Sequence, residues 1–116
     1  MSTPDVDRRA HERGAFIPET ECVGLLKRAI FSNARVRLEN RKLRWREVYN
    51  GDVGFLIDDY CVVIFNDCGK LDYVDSIMTQ DASRAGEFVQ WEVNPVDLLT
   101  VTERALLTSV LEIIEK

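Results

Sequence analysis

The sequence predicts a single α+β domain: an antiparallel β-meander of four to five strands flanked by an N-terminal and a C-terminal helix. Three observations lead there. Apolar residues recur at three- and four-residue spacing near both ends of the chain, whereas short apolar runs broken by Asn, Asp and Gly fill the middle. The chain has 116 residues, enough for one hydrophobic core and too few for two. With 46% hydrophobic and 30% charged residues, its composition is that of a folding, water-facing domain.

Residues 1–16 are polar, carry Pro4 and Gly14 and show no apolar period, so they are expected to form a tail to a domain spanning 17–116. Pro18 suits a helix start, and Glu19 and Glu21 suit the positive end of a helix dipole. Cys22, Val23, Leu26, Ala29 and Ile30 then form an apolar stripe, which predicts a helix over 18–32. From Ala34 to Arg46 the pattern fits a short strand or an extended loop. Asn50-Gly51 between Trp45–Tyr49 and Val53–Ile57 predicts a tight type I′ hairpin. Asp58-Asp59 turns the chain into Tyr60–Phe65, an unbroken apolar run expected to be a central strand covered on both faces. Asn66–Lys70 reads as a turn, Leu71–Met78 as the next strand and Glu87–Trp91 as the last. Thr100 and Glu103 have the spacing of a capping box, and Leu106, Leu107, Val110, Leu111, Ile113 and Ile114 stripe a final helix over 101–115. The expected core is Val23, Leu26, Ile30, Phe55, Ile57, Val62, Ile64, Phe88, Leu107, Val110 and Ile114.

Charge is distributed unevenly. Residues 1–50 carry eleven Lys or Arg against seven Asp or Glu, and residues 51–116 carry four against thirteen, leaving a net charge of −5. In the second half Asp52, Asp58, Asp59, Asp67, Asp72, Asp75 and Asp81 fall in or near predicted turns and strand ends. Aspartate is common in turns for conformational reasons, which accounts for about half of the cluster. The remainder fits an acidic surface offered to a basic partner, with Asp58, Asp59, Asp67, Asp72 and Asp75 as the contact set. The basic segment Arg35, Arg37, Arg41, Lys42, Arg44 and Arg46, with Trp45 inside it, is the rival: a nucleic-acid-binding module in which the arginines hold phosphates and Trp45 stacks on a base. Net acidity weighs against that, and Trp45 fits equally well in the core.

No catalytic residue, metal site or cofactor is assigned. The only histidine, His11, lies in the tail, which removes the commonest general base from the domain. Asp67, Asp72 and Asp75 lack the spacing of a calcium loop. Cys22, Cys61 and Cys68 are an odd count without a C-x-x-C pair, so reduced thiols are expected. Cys22 and Cys61 fit the core, and Cys68 is a turn thiol with no base beside it in sequence. No apolar stretch approaches the roughly 20 residues of a membrane span, and no signal-type segment opens the chain, so a cytoplasmic protein is expected.

Trp45-Arg-Glu-Val-Tyr-Asn-Gly, Ile64-Phe65-Asn66-Asp67-Cys68 with the following Leu71-Asp72-Tyr73-Val74-Asp75, and Asn94-Pro95-Val96-Asp97-Leu98-Leu99 resemble a family of small uncharacterised proteobacterial proteins of the pseudomonad type. The resemblance covers about residues 43 to 112 and implies a bacterial, single-domain protein, with no activity to carry over. In size, acidity and missing active-site chemistry the chain is similar in general character to immunity proteins. The function expected is therefore that of an inhibitor of a basic bacterial toxin, such as a nuclease. The alternative is a regulatory or accessory protein whose acidic turns are incidental.

Overall fold

The computed structural model describes residues 15–32, 34–40 and 44–114. Helix α1 (Glu19–Phe31) begins after an extended Pro18, has Glu19 and Glu21 in its first turn, and buries Cys22, Leu25, Leu26 and Ala29 on one side. Five strands follow: β1 (Val36–Leu38), β2 (Asn50–Ile57), β3 (Tyr60–Asp67), β4 (Lys70–Thr79) and β5 (Ala85–Glu87). They form one antiparallel sheet in the order β1-β2-β3-β4-β5. Helix α2 (Val101–Ile113) closes the fold behind the expected capping box: Thr100 Oγ1 accepts from the Glu103 backbone N–H at 3.0 Å, and Glu103 Oε1 accepts from the Thr100 N–H at 2.9 Å.

Both helices lie on the same face of the sheet. There Val53, Phe55 and Ile57 of β2, Val62 and Ile64 of β3, and Val74 and Ile77 of β4 meet Leu25, Leu26, Leu107 and Leu111. Ile17, Trp45, Trp91, Val96 and Leu99 complete this core from the connecting segments. Val23, Ile30 and Ile114 pack on its margin, and Val110 is half-buried. Phe88, expected in the core, is 48% exposed.

The hairpin expected at Asn50-Gly51 is not there. Both residues lie inside β2, opposite Asp67 and Asn66, and Trp45–Glu47 is a 3-10 helix instead of a strand. Two contacts favour that turn. Arg44 Nη2 lies 2.6 Å from Glu47 Oε2, and the buried Asn66 donates from Nδ2 to the Trp45 carbonyl at 2.8 Å. A tight turn does occur one hairpin later, at Cys68-Gly69, where φ is 55° and 89°. Two successive left-handed residues are what a type I′ turn demands, and glycine supplies one of them without strain. Asn66 Oδ1 braces this turn by accepting from the Gly69 N–H at 2.6 Å.

The expected last strand is also shorter. After Glu87 the chain winds into a 3-10 helix, Phe88–Gln90, because the Gln90 side chain reaches back to the Glu87 N–H at 3.0 Å. Phe16, placed in the tail by sequence, makes a parallel bridge to Ala85, and the Ile17 N–H donates to the Ala85 carbonyl at 2.9 Å. Tail residues 1–14, with His11, lie outside the described residues, as do Arg41 and Lys42.

Candidate functional site

With both helices on one side, the other face of the sheet is left open, since among the described residues no helix packs on it. Strand parity places Asp52, Gly54 and Leu56 of β2 and Cys61, Val63 and Phe65 of β3 there. β3 is the central strand as expected, but the predicted cover on both faces is not found: Cys61, Val63 and Phe65 are only half-buried. The sheet itself and a few long side chains provide what cover they have. Glu39 lies over Gly54, where no Cβ obstructs it. Burial and a hydrogen bond to Glu39 push the Cys61 thiol up to about 12, so it stays protonated and unreactive at neutral pH.

Three aromatic rings organise this face. Phe65 and Tyr73 are direct cross-strand partners and stack at 5.0 Å with their planes 10° apart. Phe88 meets Tyr73 edge-on at 4.8 Å. Around the rings the β3–β4 register shifts twice, between Val63 and Ile64 and between Phe65 and Asn66, leaving Asp75 and Asp72 with no residue opposite. Such bulges redirect side chains. Here they bring two carboxylates near the Tyr73 hydroxyl, and Asp75 also near Asp52. Partial burial raises the Asp52 carboxyl above its ordinary value, and the nearby charge of Asp75 raises it further. The Tyr73 hydroxyl is raised by burial first and then by Asp52, Asp75 and Asp72. A positive charge placed among these groups would relieve both shifts.

The five aspartates proposed from sequence are therefore not one site. Asp72 and Asp75 share the aromatic face. Asp58 and Asp59 turn the chain between β2 and β3, and Asp67 lies at the opposite end of β3, on the Phe65 side of the sheet but about 26 Å from Asp59 by strand rise. Asp58 is engaged structurally: φ is 51°, its Oδ1 accepts from the Arg35 N–H at 3.1 Å, and its Oδ2 lies 3.9 Å from Arg28 Nε. Asp81 likewise caps its own loop through Ser83 and Thr79, which hold its carboxyl at about 2. Asp52, outside the contact set expected from sequence, joins the aromatic face because β2 runs through the expected turn and pairs Asp52 with Phe65.

In the basic segment the stacking role expected of Trp45 is not available. Trp45 is 1% exposed, so its ring has no face to offer a base. Arg44 is occupied by Glu47. Cys68 is exposed in its turn, held by a bond of 2.7 Å from its N–H to the Tyr49 carbonyl. Among the described residues no group of three or more His, Cys, Asp and Glu side chains is arranged to hold a metal, and no helix is long and apolar enough to cross a membrane.

No curated protein and no solved structure matches the chain. A family model does, over residues 16–113, from the Phe16 bridge to the end of α2. The chain belongs to the family described as a domain of unknown function, DUF7693.

Proposed function

We propose that the protein acts by binding a basic protein partner on the open, acidic face of its sheet, as an immunity-type inhibitor of a bacterial toxin domain in the cytoplasm of a proteobacterial cell. The observation that carries the proposal is the convergence of Asp52, Asp72 and Asp75 on the Phe65–Tyr73–Phe88 stack, with no ion-pair partner for any of the three among the described residues. Like charges gathered over half-buried apolar surface weaken the free protein, and a cationic partner reverses that cost. Aromatic side chains with a charged rim are also the usual composition of a contact that must be both tight and selective. A toxin that holds nucleic acid needs a basic cleft, which gives the acidic face its complement.

The proposal is tested in cells. An inhibitor of this kind is expected to be encoded immediately beside its toxin, so expression of that neighbouring basic protein should arrest growth and co-expression of this protein should restore it. Reversing two charges on the open face, D52K with D75K, should abolish the rescue. Growth arrest that persists with the unaltered protein would contradict the inhibitory role.

A further inference from the structure

At one margin of the open face, Tyr73 of β4 and the segment between β5 and α2, which begins with Phe88, border a groove of about 700 Å³. We infer that this groove receives an arginine side chain of the partner, an inference that rests on the binding role proposed above. Three aromatic residues, Tyr73, Phe88 and Trp91, and three acids, Asp72, Glu92 and Asp97, line it, and no lysine or arginine is among its described lining residues. Asp97 touches Arg104 at 4.0 Å, while Asp72 and Glu92 have no ion-pair partner among the described residues.

The walls are set before any partner arrives. The Asn94 side chain clasps the bulged strand in both directions, accepting from the Val74 N–H at 2.9 Å and donating to the Val74 carbonyl at 2.9 Å. Its Oδ1 also accepts from the Val96 N–H at 3.1 Å, which starts the 3-10 helix Pro95–Leu98 and fixes Asp97. Trp91 is tethered by its indole N–H to the Ile17 carbonyl at 2.9 Å. Little ordering is left for binding to impose. Beside the groove Val89 is 80% exposed and Val93 43%, apolar shoulders on which the chain flanking such a side chain would rest.

The pairing of ring faces with carboxylates selects the cation. A guanidinium is planar, stacks on aromatic rings while its edge forks onto carboxylates, and loses its water more easily than an ammonium does. Lysine can satisfy the charge but not the stacking.

Titrating the full-length protein with a hexa-arginine peptide, followed by NMR, tests the assignment. The Tyr73, Phe88 and Trp91 signals should shift and saturate together. Hexa-lysine should bind at least about threefold more weakly. Replacing Asp72 and Glu92 as D72N with E92Q should weaken hexa-arginine at least about fivefold, with the spectrum of the sheet core unchanged; the two single substitutions, D72N and E92Q, each give a smaller loss if the pair perturbs folding. Shifts centred on Asp58 and Asp59 would overturn the groove while leaving an acidic binding protein in place. Absence of any binding would remove both. Shifts of the groove signals on concentrating the protein alone would assign the groove to a second copy, and equal affinity for hexa-lysine would remove the arginine preference.

Discussion

Glu21 ties the first helix to the far end of the sheet. Its carboxylate accepts from the Arg84 guanidinium at 2.6 and 2.7 Å and from the Tyr60 hydroxyl at 2.7 Å. The Arg84 contact is the main reason its carboxyl lies below the usual range, with Tyr60 adding to it against partial burial. A folded-state value depressed relative to the unfolded chain means that the contribution is complete above the ordinary value of 4.5 and is lost as pH falls through the folded value. E21Q should therefore lower stability near neutral pH by about 1–2 kcal/mol, a figure reduced for partial exposure. It should also flatten the loss of stability as pH falls below the ordinary value of 4.5. Melting curves at stepped pH measure both, and an acid limb as steep in E21Q as in the parent would contradict this role. None of this was visible in sequence, where Glu21 reads only as a first-turn acid, because its partners stand 39 and 63 residues away. Asn66 was hidden for the same reason: it reads as a turn residue and is in fact the buried clasp between Trp45 and the Cys68-Gly69 turn.

At the scale of elements, what local pattern dictates was legible. The two amphipathic stripes become α1 and α2 close to the expected bounds, and the Thr100–Glu103 box forms. The apolar run becomes the central strand, since a β-rich segment between turn signals has few other uses. The failures are places where a distant partner overrode a local preference. Asn50-Gly51 is a good turn pair, yet the pairing of β2 with β3 extends through it and gains ladder bonds that a turn would forgo. Near the last strand, the side chains of Glu87 and Gln90 divert the chain sooner than its apolar content suggests. Gly86 shows how tightly that edge is packed: a Cβ there would strike the Ile17 carbonyl and the Trp91 ring. G86A should cost about 1–3 kcal/mol, measured by denaturant unfolding, and should loosen the Trp91 wall of the groove. A variant as stable as the parent would show that the Ile17 segment can shift without loss.

Among the described residues the sheet has one face covered by helices and one that no helix covers, and its aspartates divide between the turns and the uncovered face. Asp58 and Asp81 serve their own turns, as the conformational preferences of aspartate suggest. Asp52, Asp72 and Asp75 serve no described partner and surround the aromatic stack, while Glu92 and Asp97 extend the same charge along the groove. The excess of acid in the second half of the chain was readable from sequence. Its concentration on one face was not, because it depends on two bulges and on which side the helices occupy. The most direct test of the open face as the binding surface is the rate of association with the basic partner, measured at low and at physiological salt, for D52N with D75N against D58N with D59N. The open-face pair should slow association about five- to tenfold at low salt and flatten its salt dependence, whereas the pair at the β2–β3 turn should leave both within about twofold. Slowing by the turn pair alone, or by neither, would contradict the assignment.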